Sequence, residues 1–124
     1  IKVGIIGATG YAGGELVRIL MGHKDAEIKW YGSRSYIDKK YADVYRNMFQ
    51  IRDFVIAGQR GDPVQDEIID LSADFRLKDV NVYEEWYKIE HKAPQYIDEA
   101  VYGLCEINRD LVKSARIVAN PGCY

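Results

Sequence analysis

Residues 1 to 13 limit what this chain can fold into more than any other stretch. A short apolar run, Ile1-Lys2-Val3-Gly4-Ile5-Ile6, passes directly into Gly7-Ala8-Thr9-Gly10-Tyr11-Ala12-Gly13, and then into a segment with Leu16, Val17, Ile19 and Leu20 on its apolar side. Apolar residues bounded by glycine read as a buried strand, and the spacing beyond Gly13 reads as a helix. Glycines at this junction carry a meaning that they lack elsewhere. Gly7 permits a tight turn, Gly10 lets a pyrophosphate approach the backbone, and Gly13 lets the helix pack closely on the strand. The helix N-terminus then aims amide N–H groups and partial positive charge at the phosphates. A simple strand-to-helix turn with no ligand is the bland alternative, but it needs fewer glycines.

The rest of the chain repeats the alternation. A second strand fits 26 to 31, ending at Gly32-Ser33-Arg34-Ser35, and residues 36 to 50 look mixed and partly helical. Further strands fit Phe54-Val55-Ile56-Ala57, Ile68-Ile69-Asp70-Leu71 and Ile117-Val118-Ala119, with turn chemistry at 58 to 63 and a helix over 109 to 114. Strands alternating with helices predict a parallel α/β sheet in one domain spanning 1 to 124. The end of the second strand discriminates between nicotinamide dinucleotides: a carboxylate there bonds a free ribose 2′-OH, whereas arginine accommodates a 2′-phosphate. Tyr31 to Ser35 contains no carboxylate, and Arg34 stands between two serines, which favours NADP over NAD. Otherwise Arg34 is an ordinary solvated residue.

Composition removes several functions. A net charge of −2 and a pI near 5.7 give no electrostatic reason to bind nucleic acid or an anionic membrane, and the apolar segments are too interrupted by charge for a membrane span. Cys105 and Cys123 form no CxxC pair, and neither makes metal-ligand spacing with His23 or His91. No metal and a reducing compartment are expected. The start has neither a secretion signal nor an organellar one, which points to the cytoplasm.

The last residues carry the remaining chemistry. Asn120-Pro121-Gly122-Cys123-Tyr124 follows the final strand, so Cys123 falls just beyond the carboxyl end of a sheet strand, where open α/β sheets build their sites. There a thiolate can serve as nucleophile. By spacing alone a small buried hydrophobe is the commoner role for a cysteine, and Cys105 is read as structural.

Three segments together resemble N-acetyl-gamma-glutamyl-phosphate reductases: Gly4 to Leu16, Asp70-Leu71-Ser72-Ala73-Asp74-Phe75-Arg76-Leu77-Lys78-Asp79, and Ala119 to Tyr124. Val82-Tyr83-Glu84-Glu85-Trp86-Tyr87 adds to them. The resemblance implies a Rossmann-like parallel sheet with flanking helices and an NADPH-dependent reduction of N-acetyl-glutamyl 5-phosphate to the semialdehyde, a step of arginine biosynthesis. Cys123 would attack the acyl phosphate to form a thioester. Gly7, Thr9, Gly10, Tyr11, Ala12 and Gly13 would cradle the cofactor phosphates, Ser33 and Arg34 its adenosine end, and Ser72 with Ala73 the region near the nicotinamide. It also implies a small-molecule substrate, a homo-oligomer at full length, and a following substrate domain with a catalytic histidine that this chain lacks. Alone, the chain is expected to bind cofactor weakly and to turn over nothing. His23 and His91 precede Cys123 and are read as solvated loop residues; Asp74 and Arg76 are open to reading as a structural ion pair. Residues 41 to 67 depart from the family, which carries a longer stretch there, so the sheet is expected to be shortened in the middle. Reductases of aspartyl or aminoadipyl phosphate share the chemistry, and a nonenzymatic NADP-binding module is a further alternative. Tyr36-Ile37-Asp38-Lys39-Lys40 has the Tyr-x-x-x-Lys spacing of short-chain dehydrogenases, but too early in the chain to serve as such.

Overall fold

The structure, a computed structural model, describes residues 1–45 and 67–122. The strand expected at 54 to 57, the turn at 58 to 63 and Cys123 lie outside the described residues. Strand β1 (Lys2–Ile6) leads into helix α1 (Tyr11–Met21), then β2 (Glu27–Gly32) and the single turn α2 (Tyr41–Val44). After the undescribed stretch come β3 (Glu67–Asp70), α3 (Val80–Tyr87), β4 (Ala100–Tyr102), α4 (Cys105–Val112) and β5 (Ile117–Ala119). The five strands form one sheet in the order β2-β1-β3-β5-β4, and every pairing is parallel. The chain first winds outward from β1 to β2, then returns to place β3 on the other side of β1. That reversal opens a crevice at the carboxyl ends of β1 and β3.

Both faces of the sheet are covered, as parallel sheets require. Alternation along β1 sends Val3 and Ile5 to one face, where they join Ala8, Val17, Ile28, Tyr31 and Tyr41, while Ile6 joins Phe75, Ile97, Ala100, Ile117 and Ala119 on the other. Helix α1 seats Gly13 and Val17 against the first of these clusters, with Leu16 and Leu20 at its margin. Ile19, expected on the same side, is 52% exposed. Two residues turn a helix by about 200°, so Ile19 cannot share a face with the fully buried Val17.

Two elements escape the sequence pattern. Helix α3 is capped by Asp79, whose carboxylate accepts from the amides of Asn81 (2.8 Å) and Val82 (3.4 Å), but of its eight residues only Tyr83 is buried. Strand β4 has three residues, too few to show a period. Helix α4 was expected over 109 to 114; it starts at Cys105, and Asn108 leaves helical geometry (φ −116°, ψ 18°) while its side chain donates to Tyr102 O at 2.9 Å. That kink interrupts the periodicity that would have marked the first turn.

Candidate functional site

One row of the sheet sets the site. Gly32, Ile6, Asp70, Ala119 and Tyr102 are register partners in turn across the five strands, each at or next to the carboxyl end of its strand. The loops that begin at residues 7, 33, 71, 103 and 120 therefore leave along a single rim.

The glycine turn is built into that rim from three sides. Gly7 lies at φ +81°, a left-handed conformation open to glycine, and the amides of Gly7 and Ala8 both donate to Gly32 O at 3.0 and 3.1 Å. A Cβ on Gly13 would lie 2.3 Å from Gly7 O and 2.7 Å from Ala8 Cα, so only a glycine lets α1 rest on the turn. A Cβ on Gly10 would meet nothing nearer than Gly7 O at 3.5 Å. The helix and the turn are thus in close contact at Gly13, whereas Gly10 faces open space in which a ligand can approach the backbone.

Two tyrosines that the sequence did not single out hold the turn from behind. Tyr41 stacks on Tyr31 (centroids 4.6 Å apart) and donates to Ala8 O at 3.0 Å; Tyr45 reaches Gly10 O at 2.8 Å and Thr9 O at 3.2 Å. Burial pushes the Tyr41 phenol well above its ordinary value, which keeps it a hydrogen-bond donor at any working pH. A peptide's C=O and the next N–H point in opposite directions, so drawing these carbonyls back turns the amides of Thr9 and Tyr11 outward. With the unpaired amides of the first turn of α1 they make a concave set of donors suited to phosphate oxygens.

Ser33 is buried, and its Oγ lies 2.7 Å from Thr9 Oγ1 and accepts from the Ser35 amide at 3.2 Å. It ties β2 to the turn. Arg34 is half-exposed, and its Nη2 donates to Asp74 Oδ1 at 3.0 Å and Oδ2 at 3.1 Å. The Asp74–Arg76 ion pair that the sequence left open is not formed. Asp74 instead pairs with Arg34 and accepts from Tyr83 Oη at 2.6 Å, and Arg76 donates to backbone carbonyls, from Nε to Asn120 O (2.8 Å) and from Nη2 to Leu71 O (3.2 Å). Burial, followed by the bond to Asp74, pushes the Tyr83 phenol up to about 12.

His91 is likewise not a solvated loop residue. It is 5% exposed, edge-on to Phe75 and Tyr83, with Nε2 2.5 Å from Asp74 O and Nδ1 accepting from the Ala93 amide at 3.2 Å. An acceptor at Nδ1 and a carbonyl at Nε2 fit the neutral ring with its proton on Nε2. Its task is to brace the 72 to 76 loop. His23 is exposed, as expected. Ser72 receives its orientation from Asp70, a fully buried carboxylate whose Oδ1 accepts from Ser72 N (2.9 Å) and Ser72 Oγ (2.6 Å). Burial pushes the Asp70 carboxyl up against the opposing pull of those bonds. Ala73 continues the same half-buried loop.

Tyr11 is fully exposed at the first position of α1, beside Ala12. Cys105 is exposed at the start of α4, its Sγ 3.6 Å from Gly103 O, so it does not fill the core as a structural cysteine would. Among the described residues no group of His, Cys, Asp and Glu could hold a metal, and no helix is long and apolar enough to cross a membrane.

A doubly wound parallel sheet with an amide-lined glycine turn at its switch point defines an α/β dinucleotide-binding domain. The comparisons narrow that class. Residues 2–66 match the family model of the semialdehyde dehydrogenase NAD binding domain, and the chain belongs to that family. It is 62% identical over 151 aligned positions to an N-acetyl-gamma-glutamyl-phosphate reductase of Lachnospira eligens and 51% identical over 150 to one of Lachnoclostridium phytofermentans. All of the chain is covered in each case, but only 43% of each relative. The chain has 124 residues against those 150 or 151 positions, so both relatives carry positions with no counterpart here. A solved aspartate semialdehyde dehydrogenase with NADP from Candida albicans shares the fold at a TM-score of 0.51 and 18% identity, over 96% of this chain and 41% of that one.

Proposed function

We propose that the chain is a shortened dinucleotide-binding domain, residues 1 to 124, of a cytoplasmic N-acetyl-gamma-glutamyl-phosphate reductase that uses NADP and works as a homo-oligomer at full length. The single observation that carries this reading is the shared rim. A glycine turn with outward amides, an arginine at the end of β2, an ordered serine after β3 and the segment leading to Cys123 after β5 all leave from one row of register partners. The 62% identity to a relative of that name supports the substrate assignment.

In this reading the amides of the Gly7 to Gly13 segment, with Thr9, Tyr11 and Ala12, hold the pyrophosphate. Arg34, ordered by Asp74, takes the 2′-phosphate, and Ser33 fixes the turn to β2 so that both phosphate sites keep their spacing. Ser72 and Ala73 line the nicotinamide end, with Asp70 setting the orientation of the Ser72 hydroxyl. Cys123 attacks the acyl carbon as a thiolate; phosphate leaves, and the carbonyl remains as a thioester. NADPH, when bound there, would supply a hydride to the thioester carbon, and departure of the Cys123 thiolate would then leave the aldehyde and restore the nucleophile. Calorimetric titration of the intact protein with NADP and NAD at one salt concentration tests the reading. Tighter NADP binding is the expected result, and equal affinity or no binding refutes it.

A further inference from the structure

The ion pair between Arg34 and Asp74 spans the rim. Gly32 at the end of β2 and Asp70 at the end of β3 are both register partners of Ile6, so the loops that carry Arg34 and Asp74 leave the sheet on opposite sides of β1. Adjacent strands lie about 4.8 Å apart, which separates the two loops by about 10 Å where they leave the sheet. The arginine side chain crosses that gap, and both carboxylate oxygens of Asp74 accept from its Nη2, at 3.0 and 3.1 Å. A 2′-phosphate that bonds this nitrogen meets those oxygens at a distance where like charges repel strongly.

Asp74 is held from three other directions. Its amide donates to Ser72 Oγ at 3.2 Å, its carbonyl oxygen lies 2.5 Å from His91 Nε2, and its Oδ1 accepts from Tyr83 Oη at 2.6 Å. Tyr83 is buried on α3 and fixed by the helix. The Arg34 side chain is 53% exposed against 20% for Asp74, so the guanidinium meets solvent while the carboxylate stays on the protein. An ion pair this open contributes little to stability. A phosphate monoester, close to a dianion at pH 7 and with three acceptor oxygens, is the stronger partner for a guanidinium.

We infer that Asp74 sets how strongly NADP is preferred: its carboxylate takes the anion seat of Arg34 until a 2′-phosphate displaces it, and Tyr83 keeps the carboxylate that is released. The inference rests on Arg34 being the 2′-phosphate ligand, and the experiment separates the two claims. The intact wild type, Asp74→Asn and Tyr83→Phe are each titrated calorimetrically with NADP and with NAD at one salt concentration. Asp74→Asn keeps the shape of the side chain without its charge. Tyr83→Phe keeps the buried ring without the donor to Asp74.

Asp74→Asn is expected to bind NADP about fivefold more tightly, the upper end of what an exposed ion pair is worth. NAD brings no 2′-phosphate to Arg34 and is expected to bind this variant as it binds the wild type. Tyr83→Phe leaves the carboxylate more dependent on Arg34, so NADP is expected to bind about threefold more weakly, with NAD again unchanged. Weaker NADP binding by Asp74→Asn would mean that Asp74 only orders Arg34, and an equal gain for both dinucleotides would mean only a change in general charge. Either result overturns the inference and leaves the NADP reading standing, and a Tyr83→Phe protein with wild-type affinity for NADP overturns the part given to Tyr83. Equal affinity of the wild type for NADP and NAD overturns the 2′-phosphate reading and the inference with it.

Discussion

Replacing Gly13 with alanine separates the packing of the glycine turn from its capacity to bind. The added Cβ would lie 2.3 Å from Gly7 O and 2.7 Å from both Ala8 C and Ala8 Cα, contacts with backbone atoms that no side-chain rotation can relieve. Helix α1 must move outward by about 1 Å to restore an ordinary contact of about 3.5 Å, opening its interface with Val17 and the β1 core. Overpacking costs about 1–3 kcal/mol, and the upper end applies where the obstacle is backbone. Alanine returns about 1 kcal/mol of helix propensity, so the net loss is about 2 kcal/mol. For a domain of this size that lowers the melting temperature by about 8 °C. Gly10→Ala makes the contrast, because its Cβ meets only Gly7 O at 3.5 Å and its φ of −81° suits alanine. Its melting should stay close to that of the wild type while dinucleotide binding falls. Circular dichroism melts and a cofactor titration on both variants provide the test. A Gly13→Ala protein as stable as the wild type would refute the close seating of α1 on the turn.

Other perturbations test different parts of the rim. Tyr41→Phe removes the buried donor to Ala8 O and should cost about 1–3 kcal/mol in chemical denaturation, with weaker dinucleotide binding because the turn loses its rear support. Arg34→Ala should weaken NADP more than NAD by calorimetry, and equal losses would remove Arg34 from the 2′-phosphate. Asp70 has a folded pKa raised by burial, so it disfavours the native state once ionised: its stability contribution is complete below the ordinary aspartate range and is lost as pH rises through the raised value. Asp70→Asn keeps an acceptor for Ser72 and should flatten that acid-side dependence in denaturant titrations; an unchanged slope would show that Asp70 does not titrate there.

The sequence exposed those parts of the fold that are local in the chain. β1, the turn, α1, β2, β3 and β5 each announce themselves within about ten residues, because apolar periodicity and glycine placement act over that range. Arg34 was legible as a residue type at a strand end, but its partner Asp74 lies 40 residues away and only the sheet brings them together. Tyr41 and Tyr45 were invisible for the same reason, with bonds to the turn that span more than 30 residues. The Asp74–Arg76 pair that the sequence left open did not form because closeness in sequence is no guide to partners in a loop where Arg76 finds its acceptors in the segments after β3 and β5. His91 misled because a histidine outside any regular element reads as solvated, whereas packing by Phe75 and Tyr83 buries it.

The tyrosine brace behind the glycine turn links ligand occupancy to local order. The phenols of Tyr41 and Tyr45 must be in place for the turn's amides to face outward, so whatever binds those amides also selects the docked form of the segment 41 to 45. By linkage, each dinucleotide that binds those amides should slow the hydrogen exchange of that segment, whose tyrosines bond to the turn's carbonyls. Substitutions on the hidden side of the turn would then appear in a cofactor titration as faster dissociation, and a survey of contact residues alone would misassign their origin.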